Sequence, residues 1–167
     1  MLKFTKCFLM LIISFSVANG QRLNVVNYSQ SNGLPGNQIN DVIQDRHGLI
    51  WIATMSGVVT FDGKIFSNPD NCPELTNNPV KSIYQDSKGN LWFGSIRKGL
   101  FKYSGTKFTV YNTENGLSND IINVVNGDGK NGVWVGTNDG LSHFDGQKFI
   151  NYTVQDGLPS NIIFDVL

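Results

Sequence analysis

The stretch "GNLWFGSIRKGLFKYSG" (residues 89–105) decides the fold, although on its own it fits three different roles. It mixes aromatic side chains with glycines and carries one basic pair, Arg97-Lys98. Such a composition suits a glycine-rich ligand loop, a nucleic-acid patch with interleaved aromatics, or one unit of a repeating architecture. Related stretches elsewhere in the chain favour the third role.

Two residue types recur at a fixed spacing, which is the sequence signature of a structural repeat. The tryptophans are 41 and 42 residues apart, and each follows a leucine by 17 residues. A further leucine in the same register opens a fourth unit. We assign these anchors to the core of the repeat: Trp51, Trp92, Trp134, Leu34, Leu75, Leu117 and Leu158.

Each repeat holds four short apolar runs separated by turn signals, and no run has a helical period. An aspartate after the first run can accept backbone N–H groups and so open a tight turn. The third run leads into a hairpin signal such as Asp62-Gly63 or Asp145-Gly146. Each repeat therefore predicts four antiparallel strands. The turn aspartates are Asp45, Asp86 and Asp128.

The second run is apolar on both faces, so we expect it to be covered on both sides. Two residues after each tryptophan comes a small residue, namely Ala53, Gly94 or Gly136. We expect the small residue to make room for side chains of the adjacent sheet. Four strands per 40-residue unit indicate one blade of a β-propeller, so the predicted fold class is all-β.

The repeats also divide the chain. Residues 25–33 align with residues 149–157, which predicts an orphan, ring-closing outer strand at 21–32. Blade repeats follow at 33–73, 74–115 and 116–156, and residues 157–167 start a truncated fourth repeat. Propellers typically have about 4–8 blades, so we expect an incomplete ring. The expected partners are the remaining blades of a longer chain or further copies of this one.

The pattern "GLPxNxVxxIxQDxxGxLWIGTxxGLxxFDGxxFxxY" resembles the two-component regulator propeller repeat, over essentially all of residues 21–167. Two departures are Glu74, where a glycine is usual, and Pro69, where an outer-strand tyrosine is expected. The resemblance implies the periplasmic sensor region of a bacterial hybrid two-component system, in which a membrane helix and a histidine kinase follow. It also implies oligosaccharides as candidate ligands. It assigns no kinase activity to the residues of this chain.

The first 20 residues have the features of a secretory signal peptide. Lys3 and Lys6 precede the apolar run 7–17, and Ala18-Asn19-Gly20 offers a cleavage site after Gly20. No later segment approaches the roughly 20 apolar residues of a membrane span. We therefore expect an exported, periplasmic protein, with secretion or a cell-surface location as alternatives. Once Cys7 is removed with the signal, Cys72 has no partner in the chain.

The charge balance argues against a nucleic-acid partner. The chain has 13 basic and 13 acidic side chains and a formal net charge of zero. Nucleic-acid binding by bulk charge needs a basic excess, which is missing here.

The sequence offers no constellation for catalysis. No acid pair, Ser-His-Asp set or metal-ligand spacing recurs, so we assign no catalytic residue, metal ligand or cofactor. His47 falls in a turn, and His143 shares its strand position with Thr60 and Lys102. A position that alternates among these residue types predicts a surface-facing slot.

The loops after the tryptophan strands are the candidate ligand surface. Strand order places them, with the "GLPxN" linkers, on one face of the disk, and the aspartate turns on the other. A one-residue insertion in the second repeat carries the basic pair. The candidate ligand residues are Arg97, Lys98, Asn138 and Asp139, and a solvated loop tip is the alternative.

Three functions fit these features. The leading hypothesis is the ligand-sensing propeller portion of a two-component regulator. The alternatives are part of a propeller lyase or hydrolase, and a passive scaffold or adhesion propeller. An enzyme should present a polar cluster at the ring centre, which the repeats do not offer.

Overall fold

The computed structural model describes residues 25–69 and 73–167. The predicted signal peptide and Cys72 lie outside these ranges. Three separate four-stranded antiparallel sheets follow one another along the chain. This arrangement confirms the all-β prediction of about three propeller blades that do not close a ring.

The strands of each blade pair in sequence order. Blade 1 contains β1 (Ile39–Gln44), β2 (Ile50–Thr54), β3 (Gly57–Phe61) and β4 (Phe66–Ser67). Blade 2 contains β5 (Val80–Gln85), β6 (Leu91–Ser95), β7 (Leu100–Tyr103) and β8 (Phe108–Tyr111). Blade 3 contains β9 (Ile122–Gly127), β10 (Val133–Thr137), β11 (Leu141–Phe144) and β12 (Phe149–Tyr152).

The turn between the first two strands of a blade is organised by its aspartate. In blade 2, Asp86 Oδ1 accepts the backbone N–H groups of Lys88 (3.0 Å) and Asn90 (2.8 Å). Gly89 closes the turn with a φ of 85°, a left-handed conformation that favours glycine. The same carboxylate also accepts the indole N–H of Trp92 at 3.0 Å. One aspartate therefore fixes both the turn and the core tryptophan.

Blades pack front to back, and this packing forms the core. The front of blade 1 presents Trp51 and Ala53, which cluster with Ile83 and Phe93 on the back of blade 2. The front of blade 2 presents Trp92 in the same way, and a second cluster joins it to blade 3. Because each blade covers its neighbour, both faces of the tryptophan strand of blade 2 are buried.

The small residue after the tryptophan sits where the blades approach most closely. A Cβ atom built on Gly94 would lie 2.6 Å from Ile122 Cγ2 and 3.2 Å from Val125 Cγ2 on the next blade. On Gly136 it would lie 2.9 Å from Ile163 Cγ2. The expectation that this position makes room for the adjacent sheet is confirmed.

Hydrogen bonds between blades run along their first strands. Asp41 Oδ2 in β1 accepts the backbone N–H of Ile83 in β5 at 2.7 Å. One blade further on, Ser82 Oγ accepts the N–H of Val125 in β9 at 3.1 Å. These strands are therefore the inner edges of the blades, where propeller sheets surround a central channel.

The linkers between blades repeat as well. Short 3-10 turns at Gln30–Asn32, Thr113–Asn115 and Val154–Asp156 each precede a glycine and an anchor leucine. The second linker differs, because residues Pro73–Thr76 form one turn of α-helix, α1, which the strand pattern did not predict. Residues 25–29 belong to no strand, so a ring-closing role for the N-terminal segment stays a prediction.

The back of blade 1 is an apolar surface that no other blade of the described residues covers. Ile39 and Val42 are 42% and 52% exposed, whereas Val80 and Ile83 at the same repeat positions are 0% and 5% exposed. Tyr28, with its ring against Phe61 and Phe66, and the buried Leu34 pack on this surface. Within the described residues, no helix is long and apolar enough to cross a membrane.

Candidate functional site

Each inner strand carries a β-bulge at the same repeat position. The register of β1 shifts between Ile39 and Asp41, and that of β5 shifts between Val80 and Ser82. The β9–β10 ladder shifts at the equivalent point. Bulges re-aim side chains and are common next to binding sites. The bulged residues are Asn40, Lys81 and Asn123.

The bulged residues form a polar chain that crosses from blade to blade. Lys81 Nζ donates to Asn123 Oδ1 at 2.8 Å, and Asn123 Nδ2 donates to Asn138 Oδ1 at 2.9 Å. Asn40 also bonds the next blade: its Nδ2 in blade 1 donates a 2.7 Å hydrogen bond to the carbonyl of Val80 in blade 2. Asn123 is buried, so its amide holds the orientation of both neighbours.

Two of the predicted ligand residues join this chain. Asn138 is exposed in the loop after β10, and its side-chain oxygen accepts the hydrogen bond from the Asn123 amide. Its neighbour Asp139 is also exposed and accepts a 2.9 Å hydrogen bond from Asn161 Nδ2, which belongs to the fourth repeat. Asn138 and Asp139 are thus held in place while their outer edges stay open to solvent.

The other two predicted residues stand apart. Ser95 Oγ accepts the backbone N–H groups of Arg97 (3.0 Å) and Lys98 (2.9 Å), which fixes the backbone of this loop. Both side chains are exposed and contact no charged or hydrogen-bonding side chain among residues 25–69 and 73–167. The structure does not bond them to Asn138 or Asp139. Both pairs lie on loops that join β-strands at the same end of their blades.

We call this surface the loop face and define it by the bulged residues and by the loops 96–98 and 138–139. It presents amides, one carboxylate and three cationic side chains. Lys81 Nζ also lies 5.3 Å from the centre of the Phe164 ring, which is 69% exposed. The described residues contain no group of three or more potential metal ligands. This face therefore presents hydrogen-bonding groups, with an aromatic ring at its edge.

Sequence reasoning missed Lys81 and Asn123, the centre of the loop face. They could have been recognised in the sequence, because a polar residue follows an apolar one at the same position of each repeat. These pairs are Ile39-Asn40, Val80-Lys81 and Ile122-Asn123. Strict alternation would have placed these polar residues on the strand face opposite their apolar neighbours. The bulge that turns them toward the next blade appears only once the strands are paired.

The slot shared by Thr60, Lys102 and His143 was predicted to face the surface; the prediction was wrong for Thr60, which is buried, whereas Lys102 and His143 are half-buried. Thr60 is 7% exposed, Lys102 Nζ lies 4.8 Å from the centre of the Trp92 ring, and the His143 ring stacks on Trp134 at 4.2 Å. The slot residue pairs directly opposite the tryptophan on the neighbouring strand, and in blades 2 and 3 its side chain covers the indole.

His143 also pairs with a turn aspartate. Its Nε2 lies 3.0 Å from Asp128 Oδ2, the position taken by the indole N–H in blades 1 and 2. Burial pushes the pKa of Asp128 up, but the hydrogen bonds from His143 and from two backbone N–H groups outweigh it and hold the pKa below its usual value. No hydroxyl or thiol of the described residues bonds His143, so the pair does not form a nucleophilic triad there.

Comparison with known proteins supports the fold and the repeat. The sequence model of the family described as "Two component regulator propeller" matches residues 33–56 and 74–97, which confirms the resemblance in the first two repeats. A search of curated proteins found no match. The matched segments run from the linker glycine region to the loop after the tryptophan strand.

Solved structures with the same architecture include extracellular domains of hybrid two-component systems from B. thetaiotaomicron. The domain of BT3049 superimposes with a TM-score of 0.74 at 24% identity, over 83% of this chain and 20% of that one. The domain of BT4673 superimposes with a TM-score of 0.70 at 23% identity, over 82% of this chain and 22% of that one. A streptogramin B lyase gives 0.57 at 17% identity, over 77% of this chain and 43% of the lyase.

These likenesses establish the propeller fold. The chain spans about a fifth of the length of the two-component extracellular domains that it matches. It therefore superimposes on only a few blades of each of those larger domains.

Proposed function

We propose that this chain is a portion of the exported, ligand-sensing β-propeller region of a two-component signalling protein, and that its role is binding and not catalysis. The proposal is supported by the family match in two repeats and by the extracellular two-component domains that share the fold. Export is supported by the signal-peptide features of residues 1–20. The periplasm is the compartment in which such a region would meet its ligand.

The observation that carries the proposal is the Lys81–Asn123–Asn138 chain. A purely structural bulge would need only backbone hydrogen bonds, and at the neighbouring position Asp41 and Ser82 already accept backbone N–H groups from the next blade. Here three side chains of the loop face are linked by 2.8 Å and 2.9 Å hydrogen bonds, and the chain ends at an exposed amide. Residues ordered in this way make a preorganised binding surface, because little side-chain entropy remains to be lost on binding.

The ligand class that fits this surface is an uncharged oligosaccharide. Amide groups pair with adjacent hydroxyls, and the exposed Phe164 ring beside Lys81 offers an apolar face for a sugar ring. Arg97, Lys98, Asn138 and Asp139 are the side chains we propose to contact the ligand beyond this centre.

Isothermal titration of the full chain with cello-, malto-, xylo- and mannotetraose tests the proposal. At least one tetrasaccharide is expected to bind, and Asn123→Ala is expected to weaken that binding by about tenfold or more, because it disconnects Lys81 from Asn138. A matched control is Asn131→Ala, which removes an exposed asparagine at the opposite end of the strands.

Failure of all four tetrasaccharides to bind would contradict the oligosaccharide class. Binding that Asn123→Ala leaves unchanged would contradict the assignment to the loop face. Circular dichroism of each variant shows whether the blade structure is retained.

A further inference from the structure

The surroundings of the core tryptophans differ between blades at two repeat positions. In blade 2, Lys102 lies over Trp92, and the Tyr111 ring stacks beside the same indole at 6.0 Å. In blade 3, His143 and Tyr152 take these places beside Trp134, at 4.2 Å and 6.0 Å. Two larger side chains therefore line each of these tryptophans.

Blade 1 has small residues at both positions. Thr60 stands where blades 2 and 3 have Lys102 and His143, and Pro69 stands where they have the outer-strand tyrosine. The outer strand β4 is also shortened to Phe66–Ser67. The consequence is a pocket of about 250 Å³ next to Trp51, at a place where the other blades are filled.

The pocket has an aromatic wall and a polar rim. The half-buried Tyr103 and Leu49 form the wall, and the buried Trp51 lies behind them, with its ring centre 5.6 Å from that of Tyr103. Thr60, Ser67 and Asn68 form the rim. The Thr60 hydroxyl donates a 3.2 Å hydrogen bond to the Ser67 carbonyl, and the hydroxyl oxygen can still accept a hydrogen bond from another donor.

We infer that this pocket is a binding site for a single neutral ring with apolar faces and hydroxyl-bearing edges, as in a pyranose. The site is separate from the loop face and does not depend on the proposed function. Its volume lies below the roughly 300–1,000 Å³ of pockets for drug-sized ligands, so one ring fills it.

The lining selects the class of ligand. None of the lining side chains that the structure describes is charged, so a buried ion would lack a counter-charge from them and would lose its hydration without compensation. A purely aromatic ring would pack on Tyr103 but would leave the polar rim without hydrogen bonds. A pyranose satisfies both parts, because its C–H face can lie on the aromatic wall while its hydroxyls meet Thr60 and Asn68.

The test is a titration of the ¹⁵N-labelled full chain with the methyl pyranosides of glucose, galactose, mannose and xylose. The indole N–H resonance of Trp51 reports on the pocket, and those of Trp92 and Trp134 serve as internal controls. At least one pyranoside is expected to shift the Trp51 resonance with saturation. Indole, as the aromatic probe, is expected to bind more weakly than that pyranoside.

Two variants fill the pocket with residues that the other blades already accept. Thr60→Lys and Pro69→Tyr are each expected to weaken pyranoside binding by about tenfold or more. The matched control is Lys102→Thr in blade 2, which is expected to leave the affinity for the blade 1 pocket unchanged. Because two independent substitutions are used, a folding defect in one variant does not remove the test.

Three results would each overturn the inference. They are the failure of all four pyranosides to shift the Trp51 resonance, tighter binding of indole than of every pyranoside, and pyranoside binding that persists in both filled variants.

Discussion

The indole N–H of Trp92 donates a 3.0 Å hydrogen bond to Asp86 Oδ2, and both side chains are buried, with Trp92 packed between blades 2 and 3. Trp51 and Asp45 repeat this pair at 2.9 Å in blade 1. In blade 3, the aspartate bonds His143 instead, and Trp134 is only half-buried. The tryptophan–aspartate bond thus marks the blades whose front is covered by a complete neighbouring sheet.

Asp86→Ala is expected to lower the free energy of unfolding by about 1–3 kcal/mol, because it leaves the buried Trp92 N–H without an acceptor. The measurement is urea denaturation followed by circular dichroism. Asp128→Ala is the matched control. It is expected to lower the free energy of unfolding by less, because Asp128 bonds His143 and accepts no hydrogen bond from the indole of Trp134. Equal losses in the two variants would contradict a specific role for the Trp92–Asp86 bond.

Acid is expected to destabilise the fold through Asp86. Burial pushes the pKa of Asp86 up, but the hydrogen bonds from Asn90, from Trp92 and from two backbone N–H groups outweigh it, so the pKa lies below its usual value. A folded-state pKa below the unfolded value of about 3.9 means that the ionised carboxylate stabilises the fold above that pH. This stabilisation is lost as the pH falls through the folded-state pKa.

The corresponding experiment compares urea denaturation of the wild type and of Asp86→Asn at several pH values between about 6 and 2.5. The wild type should lose stability more steeply below about pH 4 than the variant, which has no carboxylate to protonate at this position. Parallel profiles for the two proteins would show that Asp86 has the same pKa in the folded and unfolded states.

Gly94→Ala is expected to destabilise the chain by about 1–3 kcal/mol, because the added methyl group meets Ile122 Cγ2 at 2.6 Å. A double-mutant cycle with Ile122→Ala checks the cause. Since both residues occupy the same contact between blades, the loss in the double variant should be smaller than the sum of the single losses. Strict additivity would mean that the two blades do not meet at this point.

Trp134 should be the tryptophan most accessible to solvent. It is half-buried, whereas Trp51 and Trp92 are 4% and 1% exposed. Acrylamide quenching of the three Trp→Phe variants measures this difference. Trp134→Phe is expected to remove most of the quenchable fluorescence, and the same effect from Trp51→Phe would contradict the packing of blade 1 on blade 2.

Export should remove the first 20 residues. N-terminal sequencing of the protein recovered from the periplasm of an expressing bacterium is expected to begin at Gln21. Recovery of the intact chain from the cytoplasm, with Met1 retained and no cleaved form, would contradict the predicted signal peptide.

The repeat anchors made most of the fold predictable. Trp51 and Trp92 recur in register, and the small residue two positions later implied a close neighbour, which Gly94 and Ile122 confirm. The linker turn α1 was not predictable in this way, since the proline that begins it departs from the repeat.

The candidate site was harder to predict because it depends on pairing register. The loop residues Asn138 and Asp139 followed from strand order alone, but their supports Lys81 and Asn123 did not, because a bulge decides where those side chains point. Thr60 was misjudged for a related reason. The exchange of residue types among repeats indicated exposure, whereas the side chain at this position covers a tryptophan in blades 2 and 3, and the smaller Thr60 leaves a pocket in blade 1.

Hydrogen–deuterium exchange with and without ligand shows directly whether the loop face is the binding surface. The comparison is made on Thr60→Lys, so that the pocket beside Trp51 is filled, with and without a tetrasaccharide that binds. We expect slower exchange at residues 79–81, 96–98, 121–123 and 138–139, and unchanged exchange at the aspartate turns 45–48, 86–89 and 128–132. Protection at the turns with none at the loop face would contradict this expectation.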